Sequence, residues 1–143
     1  MALAWTEDLS VGNAMIDSEH KNLIDMVNNV ERVIRAKDSS ALPHAFEQLE
    51  HHLCTHFENE EKMAQAIKFP FTNNLLEHKY VLKSLHLIRD AVTSMAAENG
   101  VWAEDAAAHY SEFLSDWLTN HVHTEDMLMK PMLQTYPYDF HPD

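Results

Sequence analysis

His52, His56 and Glu60 are spaced four residues apart, so on a helix two imidazoles and a carboxylate project from one face. His121 and Glu125 repeat that spacing, and Asp126 follows His121 by five residues. On an ideal helix five residues turn about 140°, so spacing alone makes Glu125 the easier carboxylate and leaves Asp126 to lean sideways. His20 and His78 each head a run of apolar residues at helical intervals. Imidazole and carboxylate without thiolate suit iron, manganese or zinc. Any one inward histidine is more often a hydrogen-bonded core residue than a ligand. Four of them, with carboxylates one turn away on two segments, are a different matter. Burying so many titratable groups costs several kcal/mol apiece unless cations compensate them.

Helices must position these groups, and the sequence predicts four. Asp17 or Ser18 caps the first, SEHKNLIDMVNNVERVIRAK, whose inward stripe is His20, Leu23, Ile24, Val27, Val30 or Glu31, and Ile34. The break at 38–40 precedes Pro43, tolerated in a first helical turn. The second helix runs from about Leu42 to Ile67 with Ala45, Leu49, His52 or Leu53, His56, Glu60 and Met63 inward. Phe69-Pro70-Phe71 ends it and Thr72 caps the third. That helix carries His78, Val81, Leu82, Leu85, Ile88, Val92 and Met95 and stops at Asn99-Gly100. The fourth begins near Ala103, follows Tyr110, Phe113, Leu114, Trp117, Leu118 and His121, and ends before Pro131. Before these lies an extended arm with Trp5 free to pack. After them comes an irregular tail, QTYPYDFHPD, held by its aromatics. The expected fold is all-α: an antiparallel up-down four-helix bundle over residues 1–143 as one domain.

Composition narrows the function. A net charge of −13 repels phosphate backbones and anionic lipid surfaces, so neither nucleic acid nor membrane is an expected partner. The single cysteine, Cys54, fits a reducing compartment and a small apolar role. Residues 1–16 carry no basic stretch followed by an apolar run, and no segment approaches the ~20 apolar residues that cross a bilayer. A cytoplasmic location is expected. His44, His51, His86, His109 and His141 have no ligand-like neighbours and are read as surface or capping residues.

Five stretches carry a resemblance: WTEDLSVG at 5–12, IDSEHK at 16–21, HFENEE at 56–61, LEHKY at 76–80 and WLTNHVHTED at 117–126. Together they resemble the bacterial hemerythrins, from Trp5 to about Lys130. The resemblance implies a bundle holding two iron ions, bridged by two carboxylates and an oxygen, that binds dioxygen reversibly at one iron. It implies His20 and His56 on the oxygen-binding iron, Glu60 and Asp126 as bridges, and His78 and His121 on the second iron. It selects Asp126 over Glu125. Leu23, Trp117 and Leu118 fall where the family places an apolar oxygen pocket, and each is equally natural as ordinary core.

One family ligand is missing. The family's third helix carries two histidines four residues apart, whereas this chain has His78 alone, with Asn74 one turn before it and Leu82 one turn after. Leu82 belongs to the apolar stripe, and Glu77-His78 resembles the family's second histidine, so Asn74 takes the vacant place. His52 and His123 are spare histidines, read as surface residues or supports. The leading expectation is an oxygen carrier, store or sensor. The alternatives are a di-iron oxidase, peroxidase or nitric-oxide-handling enzyme, which an open position on the second iron would suit, and an iron-storage or iron-sensing protein.

Overall fold

The protein is seen in a computed structural model that describes residues 4–36, 38, 40–99, 104–121 and 126–142; the side chains at 73–74, 88, 91–93, 95–99, 104–111 and 126 lie outside that description. Four long helices dominate: α1 (Ala14–Arg35), α2 (Leu42–Ala66), α3 (Thr72–Asn99) and α4 (Glu104–Asn120). A short α5 (Lys130–Leu133) and two 3-10 turns, Glu7–Leu9 and Asp126–Met129, complete the described elements, with no strand among them. No helix among the described residues is long and apolar enough to cross a membrane. Gly100, Ala103 and the side chains of Ile88, Val92, Met95, His109 and Tyr110, each assigned a place from the sequence, lie outside the described residues.

Helix α1 starts earlier than Asp17 or Ser18. Its cap is Asn13, whose side-chain oxygen accepts from the Ile16 backbone N–H at 3.2 Å. Asp17 is buried and binds distant groups instead. It accepts from the Ser10 hydroxyl at 2.5 Å, the Val11 backbone N–H at 2.9 Å and the Tyr138 hydroxyl at 2.9 Å. Nearby, the Ala14 N–H donates to the Tyr138 carbonyl, and the Asn13 amide donates to the Phe140 carbonyl. Arm, helix start and aromatic tail thus form one clasp.

Helix α2 matches its expected span. It stops before Phe69-Pro70-Phe71 through a Schellman turn: Lys68 takes a left-handed φ of 56°, its N–H reaches the Gln65 carbonyl, and the Phe69 N–H reaches that of Ala64. Lysine in place of glycine gave no sequence signal for this. Helix α4 does not run on to Pro131. It ends at Asn120, with His121 in a π-type turn, and Pro131 lies in the first turn of α5, where its missing N–H costs nothing.

Among the described residues the inward stripes are buried or half-buried. On α1, Val30 and Glu31 are both buried; on α2, Leu53 faces inward and His52 is only half-buried. Residues of all four long helices share one apolar core, from Leu23 and Leu53 to Leu85 and Leu118. A second cluster gathers Val11, Ile16, Met63, Phe71 and Met129 with partly buried Met15, Tyr136 and Phe140. Four buried histidines and Glu60 fall along the chain between these clusters: His20 between Ile16 and Leu23, His56 and Glu60 between Leu53 and Met63, His78 between Phe71 and Val81, and His121 between Leu118 and Met129. A polar layer is therefore enclosed by apolar packing on both sides.

Candidate metal centre

The layer is built around one carboxylate. Glu60, fully buried, has its Oε1 at 2.5 Å from His56 Nε2, 3.5 Å from His121 Nε2 and 3.6 Å from His20 Nε2; its Oε2 lies 3.2 Å from His78 Nε2. One histidine comes from each of α1, α2 and α3, and the fourth from the turn that ends α4. All four are buried. Burial pushes the Glu60 acid up, but the imidazoles of His56 and His121 pull it down by more. It is held well below the usual carboxylate range and is an anion.

Two further carboxylates orient the rings. Glu19 on α1 accepts from His56 Nδ1 at 2.8 Å and also takes the Asn59 amide. Glu77 on α3 lies 3.3 Å from His121 Nδ1 and 3.3 Å from the Trp117 indole N–H. A neutral imidazole has one N–H. A metal-binding imidazole must be neutral; with its proton on Nδ1, facing Glu19 or Glu77, the Nε2 lone pairs of His56 and His121 would be directed into the layer that Glu60 occupies, where a cation would bring nitrogen and carboxylate together. Neither Glu60 oxygen and neither ring nitrogen of His78 has a properly aligned hydrogen bond from the described residues. The close nitrogen–oxygen distances gather the possible ligand atoms of five side chains round one point.

The donor set fits metal. His20, His56, Glu60 and His121 bring ligand atoms within 4.8 Å of one another, and Glu77, His78 and His121 form a second such group. The two groups adjoin at His121, so their ligand atoms form one continuous polar layer. Aromatic rings fix the imidazoles from outside. Phe57 stacks on His78 with centroids 3.8 Å apart and planes 9° from parallel, and Trp117 stacks on His121 at 5.2 Å and 21°. Leu23 and Leu118 are buried in the adjoining core, and Trp117 is half-buried against it.

Of the residues singled out from the sequence, the structure brings together His20, His56, Glu60, His78 and His121. The side chains of Asp126 and Asn74 lie outside the described residues, as do Glu125 and His123. Asp126 opens a 3-10 turn, and Asn74 sits one turn before His78 on α3. His44, His51 and His141 are exposed as expected, while His86 bonds Glu50 at 2.5 Å across α2 and α3. Cys54 is half-buried, and burial with Glu50 and Glu58 nearby pushes its thiol up, away from the reactive thiolate.

Sequence reasoning missed the orienting pair. Glu19 precedes His20 and Glu77 precedes His78. In each Glu-His dipeptide the histidine enters the layer, while the glutamate, about 100° around the helix, reaches a histidine on the neighbouring element. That repeated dipeptide was the available signal.

The family model described as the Hemerythrin HHE cation binding domain matches residues 11–133. A bacteriohemerythrin of Pseudomonas aeruginosa is 27% identical over 124 residues, covering 87% of this chain and 76% of the relative. One from Stenotrophomonas maltophilia is 25% identical over 138 residues, covering 96% and 86%. A crystal structure of a hemerythrin with a single leucine substitution superposes with a TM-score of 0.76 at 23% identity, over 94% of this chain and 99% of that one. At that identity the structural likeness is one of fold, and it is the four-helix bundle expected from the sequence.

Proposed function

We propose, for a chain that belongs to the hemerythrin family, that this polar layer holds two iron ions and binds dioxygen reversibly, as a carrier, store or sensor in a single domain over residues 1–143. The observation that carries the reading is the meeting of four buried histidines from four successive helical segments at the buried anion Glu60. In this reading His20 and His56 would hold one iron, His78 and His121 would hold the other, and Glu60 and Asp126 would serve both. When bound, the iron pair supplies the electrons and the coordination position that dioxygen requires.

The chain's own residues do the rest. Glu19 and Glu77 hold the proton on Nδ1 of His56 and His121, which keeps Nε2 available as a ligand and makes it more basic. Leu23, Trp117 and Leu118 keep water from the centre, so that dioxygen enters an apolar space and a proton does not readily follow.

The test is to load the protein with ferrous iron under argon, admit oxygen, and then sparge it away. Reversible oxygen binding gives a visible absorption band that appears with oxygen and disappears on its removal. Irreversible conversion to a ferric spectrum points instead to oxygen-consuming chemistry, and failure to retain iron at all defeats the metal assignment.

A further inference from the structure

Helix α3 has a second apolar stripe, on the side away from the polar layer. Leu76, Tyr80 and Leu87 are 63%, 65% and 62% exposed. With Lys83, also exposed, they are spaced four, three and four residues apart. At about 100° per residue these four lie within roughly 60° of one another and opposite the inward His78–Val81–Leu85 stripe. The four-three-four spacing is that of a helix–helix seam.

The stripe is self-complementary. If a second α3 lies antiparallel across it, Leu76 meets Leu87 of the second copy, and Tyr80 meets Lys83 of the second copy; a two-fold axis repeats both pairs. Two apolar contacts then flank two lysine–tyrosine contacts, in which the ammonium lies over the ring. Charge favours the same occupant. The chain carries −13 overall, yet Lys79 and Lys83 on this face are two of its ten basic residues. Beside Tyr80 opens a groove of about 690 Å³ edged by Glu112, Phe113, Asp116 and Trp117, whose two carboxylates offer the opposing lysines a counter-charge. We propose that the chain forms an isologous dimer through the outer face of α3, with two copies of α3 antiparallel and Leu76 opposite Leu87.

Sedimentation velocity of the iron-loaded protein over a concentration series tests this. The expected result is a concentration-dependent shift from monomer to dimer. Leu76→Glu and Leu87→Lys each place a charge against a leucine and should weaken dimerisation by at least about tenfold. An equimolar mixture of these two variants should dimerise again, because glutamate then faces lysine at one end and leucine faces leucine at the other. Both positions are exposed, so iron content and helical circular dichroism should match the parent. A parent that stays monomeric throughout, single variants that dimerise as well as the parent, or a mixture that fails to recover the dimer would each overturn the proposal.

Discussion

Glu19 on α1 holds His56 on α2 by its Nδ1 at 2.8 Å, so the opposite nitrogen of the ring faces Glu60. The carboxylate that fixes the ring thus belongs to a different helix from the ring itself. Glu77 on α3 does the same for His121.

Glu19→Gln and Glu77→Gln should therefore keep the fold and weaken metal binding about 10- to 100-fold, the usual effect of losing a ligand's support. Competition with a chelator, followed by metal analysis, measures this. In each variant the iron served by the affected histidine should leave first. Unchanged retention in both would show that the orientation is fixed by packing alone.

Glu60→Ala removes the shared anion from a centre expected to hold about two irons per chain. Metal content should fall sharply, and the thermal stabilisation that iron gives the parent should disappear. That stabilisation is roughly 2.7 kcal/mol when free metal is about 100 times its dissociation constant. A melting curve with and without iron checks it. A variant that still gains stability from iron would remove Glu60 from its bridging role.

Asn74→His should complete the family's histidine pair on α3, four residues before His78, and so raise iron retention and slow oxidation of the oxygenated protein. Leu82→His should do the reverse, since Leu82 packs against the main apolar core and a polar ring there has no partner. Autoxidation rate and iron retention for both variants decide it. Improvement in Leu82→His alone would make His78 the first member of the pair.

Tyr138 links the tail to Asp17 through its hydroxyl, and burial together with that bond raises its pKa above the ordinary 10.0. A raised value in the folded state means the contribution is fully present below pH 10.0 and is lost as pH climbs through the higher folded value. Tyr138→Phe should cost about 1 kcal/mol at neutral pH. The difference in melting temperature between parent and variant should close in alkali beyond pH 10.0. A difference that persists there would mean that the hydroxyl is not what secures the tail.

The helices and their buried stripes were legible because each rests on local spacing. His20, His56, Glu60, His78 and His121 stood out because histidine and glutamate interrupt apolar rows at the same depth. Asp17 was misread as a cap because its real partners lie up to 121 residues away, beyond any local pattern. The end of α4 was overrun because Pro131 marks a helix start as readily as a stop. Glu19 and Glu77 escaped notice because an acidic residue beside a histidine looks like ordinary surface until the facing helix is in place.

The clasp has a consequence for the order in which the molecule is assembled. Asn13 and Asp17 leave the ribosome well before Phe140 and Tyr138, which complete their bonding and follow 127 and 121 residues later. His20, His56, Glu60, His78 and His121 have all emerged by then. A nascent chain can thus gather the residues of the polar layer while the start of α1 is still open at the arm, and that end closes only as synthesis reaches the tail.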